Sequence, residues 1–200
     1  MTPSNIPVIY EDDWLLVVDK PSGLLTIPTP KQESRTLTSI LGLRPCHRLD
    51  RETSGLIIYA KGKSAQQKMM EEFKNRRVNK VYLAFVEGIP YKEQGEIKSP
   101  IEGESATTKY KVIEKKDNFA IVEVRPLTGR TNQIRIHFKR IGHPILGETK
   151  FAFRRDFKVK AKRLCLHAAA LDFIHPLTKK RIQLSSGLPV DLSKFLTMHD

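Results

Sequence analysis

The sequence predicts an α+β fold: a mixed, mainly antiparallel β-sheet with flanking helices and loops. Two observations carry that prediction. Strand-like apolar runs outnumber helical ones. The segments 107–114 and 119–124 alternate apolar and polar residues, as half-buried strands do, around the hairpin-like separator Lys115-Lys116-Asp117-Asn118. Such alternation belongs to antiparallel sheets with one face solvated, whereas buried parallel strands read as continuous apolar runs.

The elements follow in order. Val8-Ile9-Tyr10 and Trp14-Leu15-Leu16-Val17-Val18 flank Glu11-Asp12-Asp13 and predict two strands around a turn, the second ended by Pro21-Ser22-Gly23. Thr26 to Arg35, rich in Pro, Thr, Lys and Ser, predicts a mobile loop, with a short helix over Leu37 to Leu41. Gly55 to Ala60 predicts a strand. Ser64 to Arg77 predicts a helix, with Ala65, Met69 and Phe73 on one stripe and a capping box opening at Ser64. Beyond it, 81–86 predicts a strand, and Ile134, Phe138 and Ile141 a helix stopping near Gly142 and Pro144. Leu164 to Ile174 and Arg181 to Leu184 predict further strands, and Leu192 to Leu196 a terminal helix. No repeat, low-complexity tract or linker interrupts the pattern, so residues 1–200 are expected to form a single domain.

Composition narrows the function. With 40% hydrophobic and 28% charged residues the balance is that of a globular protein. No apolar run approaches the roughly 20 residues of a membrane span, and the first ten residues lack the pattern of a secretory signal. Cys46 and Cys165 fit neither a disulfide framework nor a metal spacing, and a reducing cytoplasm is expected. The net charge of +13 is skewed: residues 1–60 carry −1, 61–110 carry +3 and 111–200 carry +11. A positive field of this kind suits a polyanion, because each phosphate neutralised by Lys or Arg releases counterions.

Asp50 lies between Arg48 and Arg51, just before Thr53-Ser54-Gly55 and an apolar strand. Nearby cations keep such a carboxylate ionised and able to act as nucleophile or general base. Read from local chemistry alone, an Asp paired within an Arg-rich turn is the commoner case, because structural ion pairs are common.

The string His47-Arg48-Leu49-Asp50-Arg51-Glu52-Thr53-Ser54-Gly55-Leu56 resembles the catalytic motif of the RluA-type family of RNA pseudouridine synthases, in which the aspartate is the essential active-site residue. Further segments resemble that family in the same order. Trp14 to Leu25, with Asp19-Lys20-Pro21-Ser22-Gly23-Leu24, looks like its opening strand and turn. Lys80-Val81-Tyr82-Leu83-Ala84 looks like its second motif, and 128–137 like its third, continued by Gly142 to Gly147. Leu164-Cys165-Leu166-His167-Ala168, followed by His175-Pro176, matches its closing strand. One departure is Asn132, where many relatives carry His.

The resemblance implies the pseudouridine synthase fold and isomerisation of uridine in structured RNA, ribosomal or transfer RNA. The reaction breaks the bond from uracil N1 to ribose C1′ and joins C5 to the same carbon, so neither cofactor nor metal is expected; no phosphate loop, dinucleotide fingerprint or zinc spacing occurs. His137 and His143 lack an acidic or Cys partner at zinc spacing. The resemblance further implies catalytic roles for Asp50, for Tyr82 (stacking on the uracil and helping to remove the C5 proton) and for Arg135 (pairing with Asp50 and lowering its pKa). Arg48, His47, Arg130 and Leu166 are implied in substrate binding, Arg48 near the gap left by the extruded base. Expected with these are a monomer, structured RNA as partner, no membrane and no DNA. The amino-terminal S4 RNA-binding domain of many relatives is expected to be missing, which leaves target choice to loops such as Thr26 to Arg35 and Lys150 to Arg163. The latter has seven basic residues, one acid and three phenylalanines, suited to tracking phosphates or to anchoring a loop. The competing reading is a noncatalytic RNA-binding or RNA-folding module on the same scaffold. A basic ribosome-associated structural protein explains the charge but leaves the ordered motifs unexplained.

Overall fold

The computed structural model describes residues 6–30 and 33–199. The chain divides into two compact units, one of residues 1–80 and 168–187, the other of residues 81–167 and 188–200.

In the first unit, β1 (Val8–Glu11), β2 (Leu15–Lys20) and β4 (Ser54–Ala60) are neighbours in that order. The strand β9 (Leu166–Ile174), which belongs to this unit from Ala168 onward, follows β4, β10 (Arg181–Ser185) pairs with β9, and the two-residue β3 (Arg44–Pro45) pairs with β4. Every β4 side chain is buried, so this strand reads as an uninterrupted apolar run. Gly55 in β4 has φ +114, and a Cβ there would stand 2.3 Å from the Ala168 carbonyl oxygen. Only glycine lets β9 approach so closely. The helix α1 (Leu37–Leu41) starts at Thr36, whose hydroxyl accepts from the Ser39 N–H while its own N–H donates to the Ser39 hydroxyl. Helix α2 (Lys63–Lys74) turns Ala65 and Met69 into a core with Leu15, Val17, Leu56 and Ile58.

The second unit holds β5 (Asn79–Glu87), β8 (Phe119–Pro126), β7 (Thr107–Lys115) and β6 (Gln94–Lys98) in that spatial order. Its pairings are antiparallel, with Tyr82 opposite Val124 and Tyr110 opposite Gly95. Helix α3 (Gln133–Arg140) and helix α4 (Val190–Thr197) bring Ile134, Phe138, Leu192 and Phe195 to a core with Phe85, Phe119 and Val122. All strand pairs with a described register are antiparallel, and the fold class is the α+β arrangement that the sequence predicts.

Four expectations change. The capping box belongs to α1 and not to α2, because α2 begins a residue earlier, at Lys63, with Gly62 as its N-cap and no side-chain cap. It also ends at Lys74, where Arg76 takes the left-handed φ of +58, so Arg77 lies outside it. The segment from Thr26 is not loose at its start. Thr26 is buried, and its hydroxyl donates to the Leu49 carbonyl and accepts the Leu49 N–H; residues 31 and 32 of this segment lie outside the described residues. Finally, β3 and β6 were not anticipated. β6 presents one buried apolar side chain, Ile97, too few to make a pattern. Among the described residues no helix is long and apolar enough to cross a membrane.

Candidate active site

The first unit carries His47, Arg48 and Asp50 on one loop between β3 and β4. The carbonyls from Leu49 to Glu52 are all engaged. The Asp50 carbonyl accepts the Thr53 N–H at 3.2 Å, closing a tight turn. The Leu49 carbonyl takes the Thr26 hydroxyl at 2.9 Å, and the Glu52 carbonyl takes the Ser22 hydroxyl at 2.6 Å. The Arg51 carbonyl takes the Gly23 N–H at 2.8 Å and the Lys20 ammonium at 3.2 Å. Lys20 is fully buried and gives two further bonds, to the Pro21 carbonyl at 2.9 Å and the Leu24 carbonyl at 2.7 Å. A buried ammonium is tolerated only with such partners. The segment 20–26, which holds the predicted turn Pro21-Ser22-Gly23 and the first residue of the predicted loop, is thus a clamp on the backbone of the Asp50 loop. Asp50 itself is half-buried.

His47 anchors the start of that loop. Its Nε2 accepts the Ile58 N–H at 3.0 Å and its ring packs on Phe73 at 4.4 Å. Burial, helped by the charge of Lys80, pushes its pKa down to about 3, so it stays neutral and keeps accepting. Arg48, next to it, is exposed and has no hydrogen-bond or ion-pair partner among the described residues. A guanidinium left in solvent beside a rigid carboxylate loop suits a phosphate or an unstacked base.

The second unit carries Tyr82, Arg130, Arg135 and Leu166. Tyr82 is half-buried near the start of β5, against the core of its unit. Leu166 opens β9 and is 3% exposed, a core position. Arg130 pairs with Glu104 and donates to the Ser105 carbonyl at 3.3 Å. Gln133, one turn on, organises the third motif. Its carbonyl accepts from the Thr128 hydroxyl and the Arg130 N–H, and its amide group donates to the Thr107 carbonyl and the Thr108 hydroxyl.

Arg135 and Glu148 form a buried two-pronged ion pair, and Glu148 is the site residue that sequence reasoning missed. Nε reaches Oε2 at 2.6 Å and Nη2 reaches Oε1 at 2.7 Å, with the side chains 4% and 1% exposed. Oε1 also accepts the N–H groups of Thr149, Lys150 and Phe151. Burial alone raises the Glu148 pKa, but the Arg135 bonds, with those backbone N–H groups, outweigh it and leave the carboxyl below its ordinary value. Asn132 supports Arg135 from the other side, its Oδ1 accepting Nη1 at 3.1 Å from a backbone φ of +54, a conformation asparagine tolerates. One signal could have found Glu148: it is the only acid between Glu123 and Asp156, in the most basic part of the chain.

His137 and His143 of this unit hold backbone and side-chain groups together. His137 is bonded through Nδ1 to the Thr108 hydroxyl and through Nε2 to the Ser99 carbonyl, and His143 Nδ1 meets the Glu87 carbonyl at 2.8 Å. Among the described residues no group of three or more His, Cys, Asp or Glu is placed to hold a metal.

The fold is that of pseudouridine synthases. It matches human RNA pseudouridylate synthase domain containing 4 with a TM-score of 0.82 at 24% identity, over 96% of this chain and 92% of that one. It matches human RNA pseudouridylate synthase domain containing 1 with a TM-score of 0.79 at 27% identity, over 94% and 86%. The sequence model of the RNA pseudouridylate synthase family matches residues 14–140, and the chain belongs to that family. It is an RNA pseudouridine synthase, an isomerase of uridine. Similar proteins include the dual-specificity RNA pseudouridine synthase RluA of Haemophilus influenzae, 36% identical over 86% of this chain and 89% of its own length. The RluA of Vibrio cholerae is 35% identical over 86% and 78%. The ribosomal large subunit pseudouridine synthase C of Vibrio cholerae is 32% identical over 95% and 68%.

Proposed function

We propose that this enzyme isomerises specific uridines in structured ribosomal or transfer RNA, with Asp50 as the catalytic carboxylate. The observation that carries the assignment is the immobilised loop: every carbonyl from Leu49 to Glu52 is bonded, so the Asp50 backbone has no freedom to lose when substrate arrives. Asp50 promotes cleavage of the N1–C1′ bond by attack on the ribose or by removing a ribose proton to give a glycal. The freed uracil turns, C5 bonds to C1′, the C5 proton leaves and N1 gains one, so the product is an isomer of the substrate. Arg135, itself held by Glu148 and Asn132, keeps Asp50 ionised. Tyr82 stacks on the uracil and assists loss of the C5 proton, while Arg48, His47, Arg130 and Leu166 form the surroundings of the bound nucleotide. In that arrangement Arg130 exchanges Glu104 for a phosphate, and His47 and Leu166 act by shaping the loop and the strand.

Residues 1–200 act here as one catalytic domain, monomeric and without cofactor. A cytoplasmic location suits the two cysteines, whose thiols burial pushes up to about 12 and so keeps as unreactive thiols. Similarity to a ribosomal large subunit pseudouridine synthase favours ribosomal RNA, and the +11 charge of residues 111–200 suits any RNA.

Pseudouridine is to be mapped in total RNA from cells with the protein, without it, and with Asp50→Asn alone. The parent restores specific sites and Asp50→Asn does not. An Asp50→Asn protein that isomerises as well as the parent removes Asp50 from the mechanism.

A further inference from the structure

The turn after Ala152 displays a single aromatic ring in a strongly basic setting. Phe151 and Phe157 are held within the fold. Phe151 lies under the Arg135 and Lys150 cations, and Phe157 packs on the core of its unit. Phe153 is 67% exposed. The Arg155 guanidinium lies over its ring, 5.1 Å from the centroid.

This ring is fixed from behind. Asp156, the one acid of the segment 150–163, accepts the Phe153 N–H at 2.9 Å and the Lys139 ammonium at 2.8 Å, and its own N–H donates to the Phe153 carbonyl at 2.9 Å. The acid is therefore spent on the turn and on Lys139. Exposed Arg154, Lys158, Lys160 and Lys162 have no ion-pair partner among the described residues.

We propose that Phe153, with Arg155, is a base-stacking platform that holds an unpaired nucleotide of the RNA substrate outside the isomerisation site. An exposed phenylalanine gains nothing from water, whereas a nucleobase offers a π-face to one side of the ring and phosphates to the surrounding cations. Charge complementarity selects RNA as the occupant: a neutral surface leaves the cations unsatisfied, and an acidic protein surface satisfies them but makes no use of the paired ring and guanidinium. Stacking tolerates any base, so the platform selects for an unpaired nucleotide and not for its identity.

The proposal rests on RNA being the substrate, and the test separates the two. Total RNA carrying 5-tritiated uridine, taken from cells that lack the protein, is titrated by filter retention, and tritium release from the same RNA reports isomerisation. Phe153→Ala and Phe153→Leu both weaken retention by about 5- to 100-fold, the range of one base–aromatic stack. Phe153→Trp restores it. The Phe153→Ala loss is the same at low and high salt, whereas Lys158→Ala lessens the salt dependence itself. Retention by Phe153→Ala within twofold of the parent overturns the platform, as does full retention by Phe153→Leu, since that marks plain apolar contact. A parent that retains RNA but releases no tritium overturns the uridine reading alone, and the retention data still decide the platform.

Discussion

Arg135 and Glu148 meet in a two-pronged ion pair, 2.6 and 2.7 Å, with both side chains nearly sealed from solvent. The pair joins the third motif on α3 to the turn that follows Gly147. That turn is fixed by Gly147 itself: φ is +76, and a Cβ would fall 1.9 Å from the Arg163 carbonyl oxygen.

Removing one member of a buried, bonded pair strands the other charge in a poorly solvated place, at a cost of about 3–5 kcal/mol. Glu148→Ala is therefore expected to lower the urea unfolding free energy by that amount and to cut tritium release from 5-tritiated RNA at least tenfold. Arg135→Met together with Glu148→Leu recovers most of the stability and none of the activity. A Glu148→Ala protein within about 0.5 kcal/mol of the parent, a surface-like effect, contradicts the pair's role.

The Lys20 clamp makes a second prediction. Lys20→Met preserves the shape of the side chain and leaves the carbonyls of Pro21, Leu24 and Arg51 without the ammonium. The Arg51 carbonyl keeps the Gly23 N–H, and each of the other two, left without this partner, costs on the order of 1 kcal/mol or more. The loss in unfolding free energy is expected to be about 2–4 kcal/mol, and turnover falls because the Asp50 loop loosens. Equal turnover at a temperature where the variant is fully folded means the loop does not need the clamp.

Acid sensitivity follows from three histidines. Burial holds His47, His137 and His175 below their ordinary pKa; for His47 the charge of Lys80 adds to this, and for His175 the nearby Asp12 opposes it without reversing it. The folded state therefore binds fewer protons than the unfolded chain below about pH 6.5. Their contribution is complete above that pH and is lost as pH falls toward the folded values, about 3 for His47. The thermal midpoint is expected to drop steadily between pH 7 and 5, and His47→Gln to flatten the slope. A midpoint independent of pH over that range is incompatible with three neutral buried imidazoles.

The sheet-rich class, the strands with alternating or continuous apolar runs, the stripe of α2 and the order of the motifs are legible in the sequence, because these depend on local periodicity and on neighbours in the chain. The sequence also exposes Asp50 as a carboxylate set among arginines. Packing alone explains why segment 20–26 accompanies the Asp50 loop: Lys20 and Arg51 are 31 residues apart, and no local pattern announces a hydrogen bond over that separation. The same holds for Glu148, which reads as an isolated acid until the fold places it on Arg135, and for Phe153, whose composition matches Phe151 and Phe157 while only its own ring is left in solvent. Periodicity records which side of an element is apolar; which distant group a polar atom meets is set by packing, and the site is made of such meetings.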